Sequence, residues 1–211
     1  NVWDNIMGLI SDGSTIFDAG AMAAGFGGGM TFIKKLTASS SANLSFVDGS
    51  SGVVLDSTFK EYLFTFKNIH PATDNVAFTF NVSIDSGSNY NVEKTTTAFH
   101  AFMGGYGNEA IAYYAAADLA EGTGTQMFSG FGISNENSSG LSATMSLFNP
   151  SSATFVKHFN LRCSSLSNGE SYAEDTIIGG YANTTSAVDA IQFKMSSGNI
   201  DAGDICLYGI A

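Results

Sequence analysis

The sequence predicts an all-β fold, an antiparallel jelly-roll-like β-sandwich behind a short N-terminal arm, and three observations lead there. Apolar and polar residues alternate at a period of two in run after run from Leu44 onward, the pattern of strands buried on one face only. Charged residues make up 13% of the 211-residue chain, against roughly 25% in an average soluble domain. The Glu- and Lys-rich outer faces that surface helices need are therefore scarce. Both prolines, Pro71 and Pro150, stand between alternating runs and never inside one. A residue with fixed φ and no N–H belongs at a corner of a sheet structure.

Residues 1–30 differ in pattern from the rest of the chain. Val2, Trp3, Ile6, Met7, Leu9 and Ile10 recur at helix-like spacings, and the "DAGAMAAGFGGGM" after them is too flexible and small-residued to make a core. Exposed apolar groups want cover. These six residues are expected to form an attachment arm that docks on another subunit, with a loosely attached tail as the plainer alternative. The stretch "NVWDNIMGLI" has no basic region and carries Asp4, unlike a secretory signal, and no apolar run reaches the ~20 residues that span a bilayer. The first residue is Asn and not Met, which points to trimming or an earlier start.

Residues 31–211 are expected to form the sandwich. "NLSFV" opens the alternation. "EYLFTFKNI" sets Tyr62, Phe64 and Phe66 against Glu61, Thr65 and Lys67, and "AFTFNVSI" sets Phe78, Phe80, Val82 and Ile84 against Ala77, Thr79, Asn81 and Ser83. "TFVKHFNLRC" and "IQFKM" repeat the pattern, for about eight to ten strands in all. Asn108–Gly122 is the one stretch where a helix competes; flanking glycines limit it to a marginal length, and a strand leading into a loop is expected. The expected core is Phe64, Phe66, Phe78, Phe80, Val82, Phe155, Phe159, Ile191, Phe193 and Leu207. Cys163 shares the inward parity of Phe155, Phe159 and Leu161, and Cys206 alternates with Ile205 and Leu207. Two buried or half-buried free thiols are the expected state, with a disulfide left open.

Three segments share one layout: "FKNIHPATDNVAFTF", "SLFNPSSATFVKHF" and "GYANTTSAVDAIQFKM" each run strand, Asn, a short polar cluster, strand. Asn and Asp bond their own backbone and tolerate turn conformations. The first segment raises a question of chemistry, because His70 and Asp74 flank its proline. The same place holds Ser and Thr in the sister segments, so a hairpin-type corner is the expected role.

Other routes to chemistry are thin. His70, His100 and His158 are the only histidines, and no G-x-S-x-G elbow precedes a helix. "DSGSNYN" (Asp85, Gly87, Asn89) and "DAGD" (Asp201, Asp204) place oxygen ligands in loops, yet a calcium loop needs more carboxylates. Glu61, Glu109, Glu136, Asp118 and Asp175 could supply a glycosidase pair by type, but nothing singles out two. The Gly25–Gly29 run lacks the Lys-Ser/Thr of a phosphate loop. Tyr90, Tyr106, Tyr113, Tyr114, Tyr172 and Tyr181 are candidates for stacking on sugars, although most aromatics serve burial or subunit contact. No catalytic residue, cofactor or metal is expected. The net charge of −11 disfavours nucleic acid and anionic membranes, which select basic faces.

The runs "NIHPATDNVAFTFNVSIDSGSNYN", "LFNPSSATFVKHF" and "YANTTSAVDAIQFKMSSGNIDAGDICLYGI" resemble surface-exposed virion structural proteins of marine tailed bacteriophages, of fibre, knob or capsid-decoration type. The resemblance extends from about Lys34 to Ile210 and includes both proline turns; residues 1–30 have no part in it. It implies a non-enzymatic module on the particle surface, assembled in the host cytoplasm and contacting other capsid or tail proteins. A homo-oligomer is expected, a trimer being favoured. No catalytic residue carries over. The alternative is a carbohydrate-binding receptor module of a phage fibre.

Overall fold

The alternating runs become strands. The computed structural model describes Leu9–Ser11, Ser14–Asp18 and Ala21–Met22 as strands and residues 29–211 throughout. The strands, in chain order, are β1 (Leu9–Ser11), β2 (Ser14–Asp18), β3 (Ala21–Met22), β4 (Met30–Thr37), β5 (Leu44–Val47), β6 (Glu61–Pro71), β7 (Phe78–Ser83) and β8 (Lys94–Gly104). After them come β9 (Glu109–Tyr113), β10 (Gln126–Met127), β11 (Leu141–Phe148), β12 (Lys157–Leu166), β13 (Tyr172–Ala182), β14 (Ala190–Met195) and β15 (Ile200–Ile210). The Asn108–Gly122 stretch is indeed a strand, β9, running into a single 3-10 turn at Ala115–Ala117.

All pairing is antiparallel. Eight strands make one sheet in the order β4-β15-β6-β11-β12-β13-β8-β9, four make a second in the order β10-β7-β14-β5, and β1-β2-β3 form a small N-terminal meander. The two larger sheets face each other as a sandwich. A jelly roll divides its eight strands between two sheets; here the division is eight against four, and β11-β12-β13 run up and down inside one sheet.

In the arm, the helix-like spacing does not produce a helix where the chain is described. Leu9 pairs with Phe17 and Ile10 with Thr15, and Ala21–Met22, within the Gly/Ala-rich stretch, pair with β2. Val2, Trp3, Ile6 and Met7 lie outside the described residues.

Interleaved phenylalanines hold the sandwich together. Phe64 and Phe66 of β6 and Phe159 of β12 point from the large sheet, and Phe46, Phe78, Phe80 and Phe193 from the small one. Phe66 meets Phe193 at 5.0 Å, Phe78 at 5.8 Å and Phe128 at 4.9 Å, while Phe80 meets Phe159 at 5.1 Å. Most of these pairs are edge-to-face, the geometry the ring quadrupole prefers. Nine of the ten expected core residues are buried. Phe155 is the exception, 67% exposed. It precedes β12, which starts only at Lys157, so strand parity does not reach it. Cys163 and Cys206 are both free and both buried.

Only one of the three strand–Asn–strand segments is a hairpin, the β11–β12 connection at Pro150. The other two pass from the large sheet to the small one, β6 to β7 and β13 to β14. Asn68 and Asn149 take left-handed backbone, with φ of 49° and 47°, as short polar side chains can. Asn68 lies where the β6–β15 register shifts. Gly203 sits opposite with φ of 120°, where a Cβ would stand 2.7 Å from the Asn68 carbonyl oxygen. The bulge lets β6 run on through His70 to Pro71 at the sheet's end.

Candidate interaction face and the groups that could do chemistry

His70 is a brace and not a free base. Its Nε2 lies 3.1 Å from the Glu136 carbonyl oxygen, which can only accept, so Nε2 carries the proton. Its Nδ1 faces Asp201 at 3.5 Å. Asp74 accepts the Asn135 N–H at 3.2 Å. Both side chains thus pin the 133–137 segment to the sheet corner, and Asp74 does not meet His70.

The carboxylate loops close on themselves. Asp85 accepts from the Asn89 amide (2.7 Å), the Asn89 N–H (2.9 Å) and the Ser83 hydroxyl (2.7 Å). Asn89, above all, holds the Asp85 carboxyl down to about 2. A carboxylate filled by its own turn has little left for a cation. Asp204 accepts from Thr37 at 2.5 Å while Asp201 points to His70, so "DAGD" does not converge. Glu61 accepts from Ser146, Asp118 from Tyr113, and Asp175 forks with Arg162. Among the described residues no group of three His, Cys, Asp or Glu side chains could hold a metal ion.

One buried constellation was not legible in the sequence. His100 of β8 and Glu174 of β13 point into the interior, with 4% and 0% of their side chains exposed and Nδ1 2.5 Å from Oε1. Glu174 also accepts from the Gly130 N–H (3.0 Å), the Phe131 N–H (3.1 Å) and the Ser165 hydroxyl (3.2 Å). A side chain at Gly130 would collide with both Glu174 and His100. The imidazole packs among Tyr114, Phe102 and Phe131 at 4.7–5.3 Å. Such a pair could orient a base, but among the described residues no hydroxyl, thiol or amine bonds its Nε2. It is a hydrogen-bonded plug in the interior.

Further along, the interior stays polar. Lys94 is buried and donates to Asn81 Oδ1 (2.5 Å) and the Val92 carbonyl (2.8 Å). Burial brings its ammonium down to about 8. Lys157, two strands away in the same cross-strand row, donates to the carbonyls of Ser152, Phe155 and Thr184. Thr96 donates to Gln126 at 2.8 Å. Among the described residues, nothing partners the buried Thr176 hydroxyl. The deeply buried Cys163 thiol is pushed up by desolvation and has no path to reactivity.

What the interior lacks in apolar groups here, the exterior carries. On the outer face of the large sheet, cross-strand pairing lines up Thr144, Arg162, Ile177, Phe99 and Tyr113 in one row, and Ser142, Ser164, Asp175, Ala101 and Ile111 in the next. Ile111 is 81% exposed, Tyr113 64% and Met103 56%. Two shallow depressions share this face, of about 470 Å³ beside Ala101, Ile111 and Asp175 and of about 610 Å³ beside Thr144 and Arg162. Arg162 reaches Asp175 at 2.6 Å at the boundary between the polar and apolar parts.

Among the nominated tyrosines, Tyr113 is exposed on this face. Tyr181 is half-buried beside His158, at 5.9 Å, toward the other end of the sheet. Tyr114 and Tyr172 turn inward onto aromatic neighbours, and Tyr90 is half-buried. Sequence reasoning missed the exposed cluster because it took every alternating apolar face as an inner one. A scan against protein-family models and a search of curated proteins find no match to the chain.

Proposed function

We propose that the chain is a non-enzymatic structural module of a bacteriophage particle, exposed on its surface as a capsid decoration or a tail-fibre component, and attached through its N-terminal arm. The observation that carries this reading is the outer face around β9, where Phe99, Met103, Ile111, Tyr113 and Ile177 stand in water on neighbouring strands. A soluble monomer rarely leaves such a patch uncovered, whereas a subunit of an assembly presents it to a neighbour. The resemblance of residues 34–210 to virion proteins points the same way. So do the hydrogen bonds of His70, Asp74, Asp85, His100 and Glu174, which brace loops or fill the interior.

The test is incorporation. Purified chain lacking residues 1–30 should keep the β spectrum of the intact protein and fail to load onto particles. Full loading of the truncated chain would reject the arm, and absence of the intact chain from purified particles would reject the particle role.

A second reading, recognition of a host-surface glycan, draws on Phe99 and Tyr113, paired on the same outer face as the Arg162–Asp175 fork. Rings and a fixed ion pair on one face suit a pyranose, which has an apolar face and a hydroxyl edge. A glycan array separates the readings: saturable binding lost in Tyr113→Ala supports the receptor role.

A further inference from the structure

We propose that β9 is a self-association edge, through which two copies of the chain pair antiparallel and join their eight-stranded sheets into one. The inference rests on reading the chain as an assembling module, and it names the surface and the partner.

β9 is the last strand of its sheet, and among the described residues no strand or bridge pairs with its outer side. Two bonds fix the phase of its inner ladder: Gly104 N–H to the Asn108 carbonyl at 2.8 Å, and Tyr114 N–H to the Ala98 carbonyl at 2.9 Å. Bonded and non-bonded pairs alternate in an antiparallel ladder. Residues 108, 110, 112 and 114 thus turn their backbone groups to β8, and Glu109, Ile111 and Tyr113 turn theirs outward. Natural edges are commonly guarded by Lys, Pro or a bulge. The opposite edge, β4, carries Lys34 and Lys35 and a register shift; β9, of sequence EAIAY, has none of these.

The register follows from charge. A two-fold axis through Ile111 sets Ile111 against its own copy, Ala110 against Ala112 and Glu109 against Tyr113. The only charge of the strand then faces a phenol ring and not another carboxylate, the like-charge opposition that weakens strand pairs. On a chain of net charge −11, where most surfaces of two copies repel, this edge is a place they can meet. In this register the outward backbone groups of 109, 111 and 113 all find partners. The two Ile111 side chains meet on the outer face, flanked by each copy's Tyr113, Phe99 and Met103. A contact in which one patch meets itself closes as a dimer, so this edge by itself builds pairs and not the trimer expected from sequence.

The experiment is the solution mass of the intact chain by light scattering, with two variants. Ile111→Pro removes an N–H that points away from β8, so the internal ladder keeps its bonds; Ile111→Lys places like charges on the axis. Both should keep the wild-type far-ultraviolet spectrum and halve the mass, while Phe32→Lys at the β4 edge should leave the dimer intact. A wild-type monomer, or an oligomer that survives both Ile111 substitutions, overturns the interface. Loading onto particles is scored separately, so a failed interface and a failed particle role give different results.

Discussion

Across β6, β11 and the middle of β12 the inward side chains include Phe64, Phe66, Met145, Leu147, Phe159 and Leu161, with the polar Lys157 and Ser165 at the two ends of β12. The outward ones include Thr65, Thr144, Ser146, Asn160 and Arg162. Across β13, β8 and β9 the inward side chains include Glu174, Thr176, Lys94, Thr96 and His100, while Ile177, Phe99, Met103, Ile111 and Tyr113 face out. One continuous sheet therefore changes polarity across its width. The first region draws its stability from ring packing between two sheets. The second lies at the far side of the sheet, where Glu174 and Thr96 reach the 115–135 segment, and hydrogen bonds satisfy its inward groups except the Thr176 hydroxyl. A sheet face turned apolar side out is stable as a structure, because its interior is bonded, and incomplete as a surface. That combination is the ground for the proposed role as a subunit.

Substitutions separate the two regions by size of effect. The largest loss is expected for Phe66→Ala, which removes a ring touching Phe78, Phe128 and Phe193; about 3–5 kcal/mol should disappear in urea unfolding. Next, His100→Leu leaves the fully buried Glu174 short of a partner and should cost about 2 kcal/mol. A loss as large as that of Phe66→Ala would mean the polar interior is as critical as the aromatic one.

Lys94 gives a smaller, pH-dependent signature. Its ammonium titrates at about 8 when folded, against 10.5 for a lysine in water. Between these values the unfolded chain binds the proton more strongly, so stability rises with pH from about 8, by roughly 1 kcal/mol per unit at most. Burial of Cys163, whose ordinary value is 9.0, acts in the opposite sense above that pH, so the window from 8 to 9 is the informative one. Denaturant midpoints should rise across it in the wild type, and the rise should shrink in Lys94→Met. An unchanged slope would place the proton elsewhere.

The smallest effect should come from the exposed apolar residues. Phe99→Ser or Ile177→Ser, measured under dilute monomeric conditions, should shift stability by no more than about 0.5 kcal/mol. Deleting apolar groups would then be costly in one region and nearly neutral in the other. A loss above 2 kcal/mol would show that these side chains support the monomer after all.

The strands themselves were legible in the sequence. Period-two alternation located β5, β6, β7, β12 and β14, low charge argued against helices, and the two prolines marked real corners. Phe155 departs from expectation because strand parity does not extend past the start of β12. Leu9 and Ile10 depart because a short apolar cluster fits a helical spacing and a strand equally well, and pairing with β2 decides between them. Within "TAFHAFMGG" the alternation is visible, but its direction is not: the usual rule would bury Phe99 and expose His100, and the structure does the reverse. Glu174 gave no signal, since its partners come from β8, from the loop at Gly130 and from β12, distant in sequence.

By itself, then, the sequence determined that this chain is built of half-buried antiparallel strands with a phenylalanine interior, because a two-residue period and ring burial are local properties. Only the tertiary structure decided which face of β8 turns inward, how eight strands divide from four, and where a carboxylate could be buried. Those depend on which strands become neighbours, and a side chain's cost of burial is set by the partner it meets there.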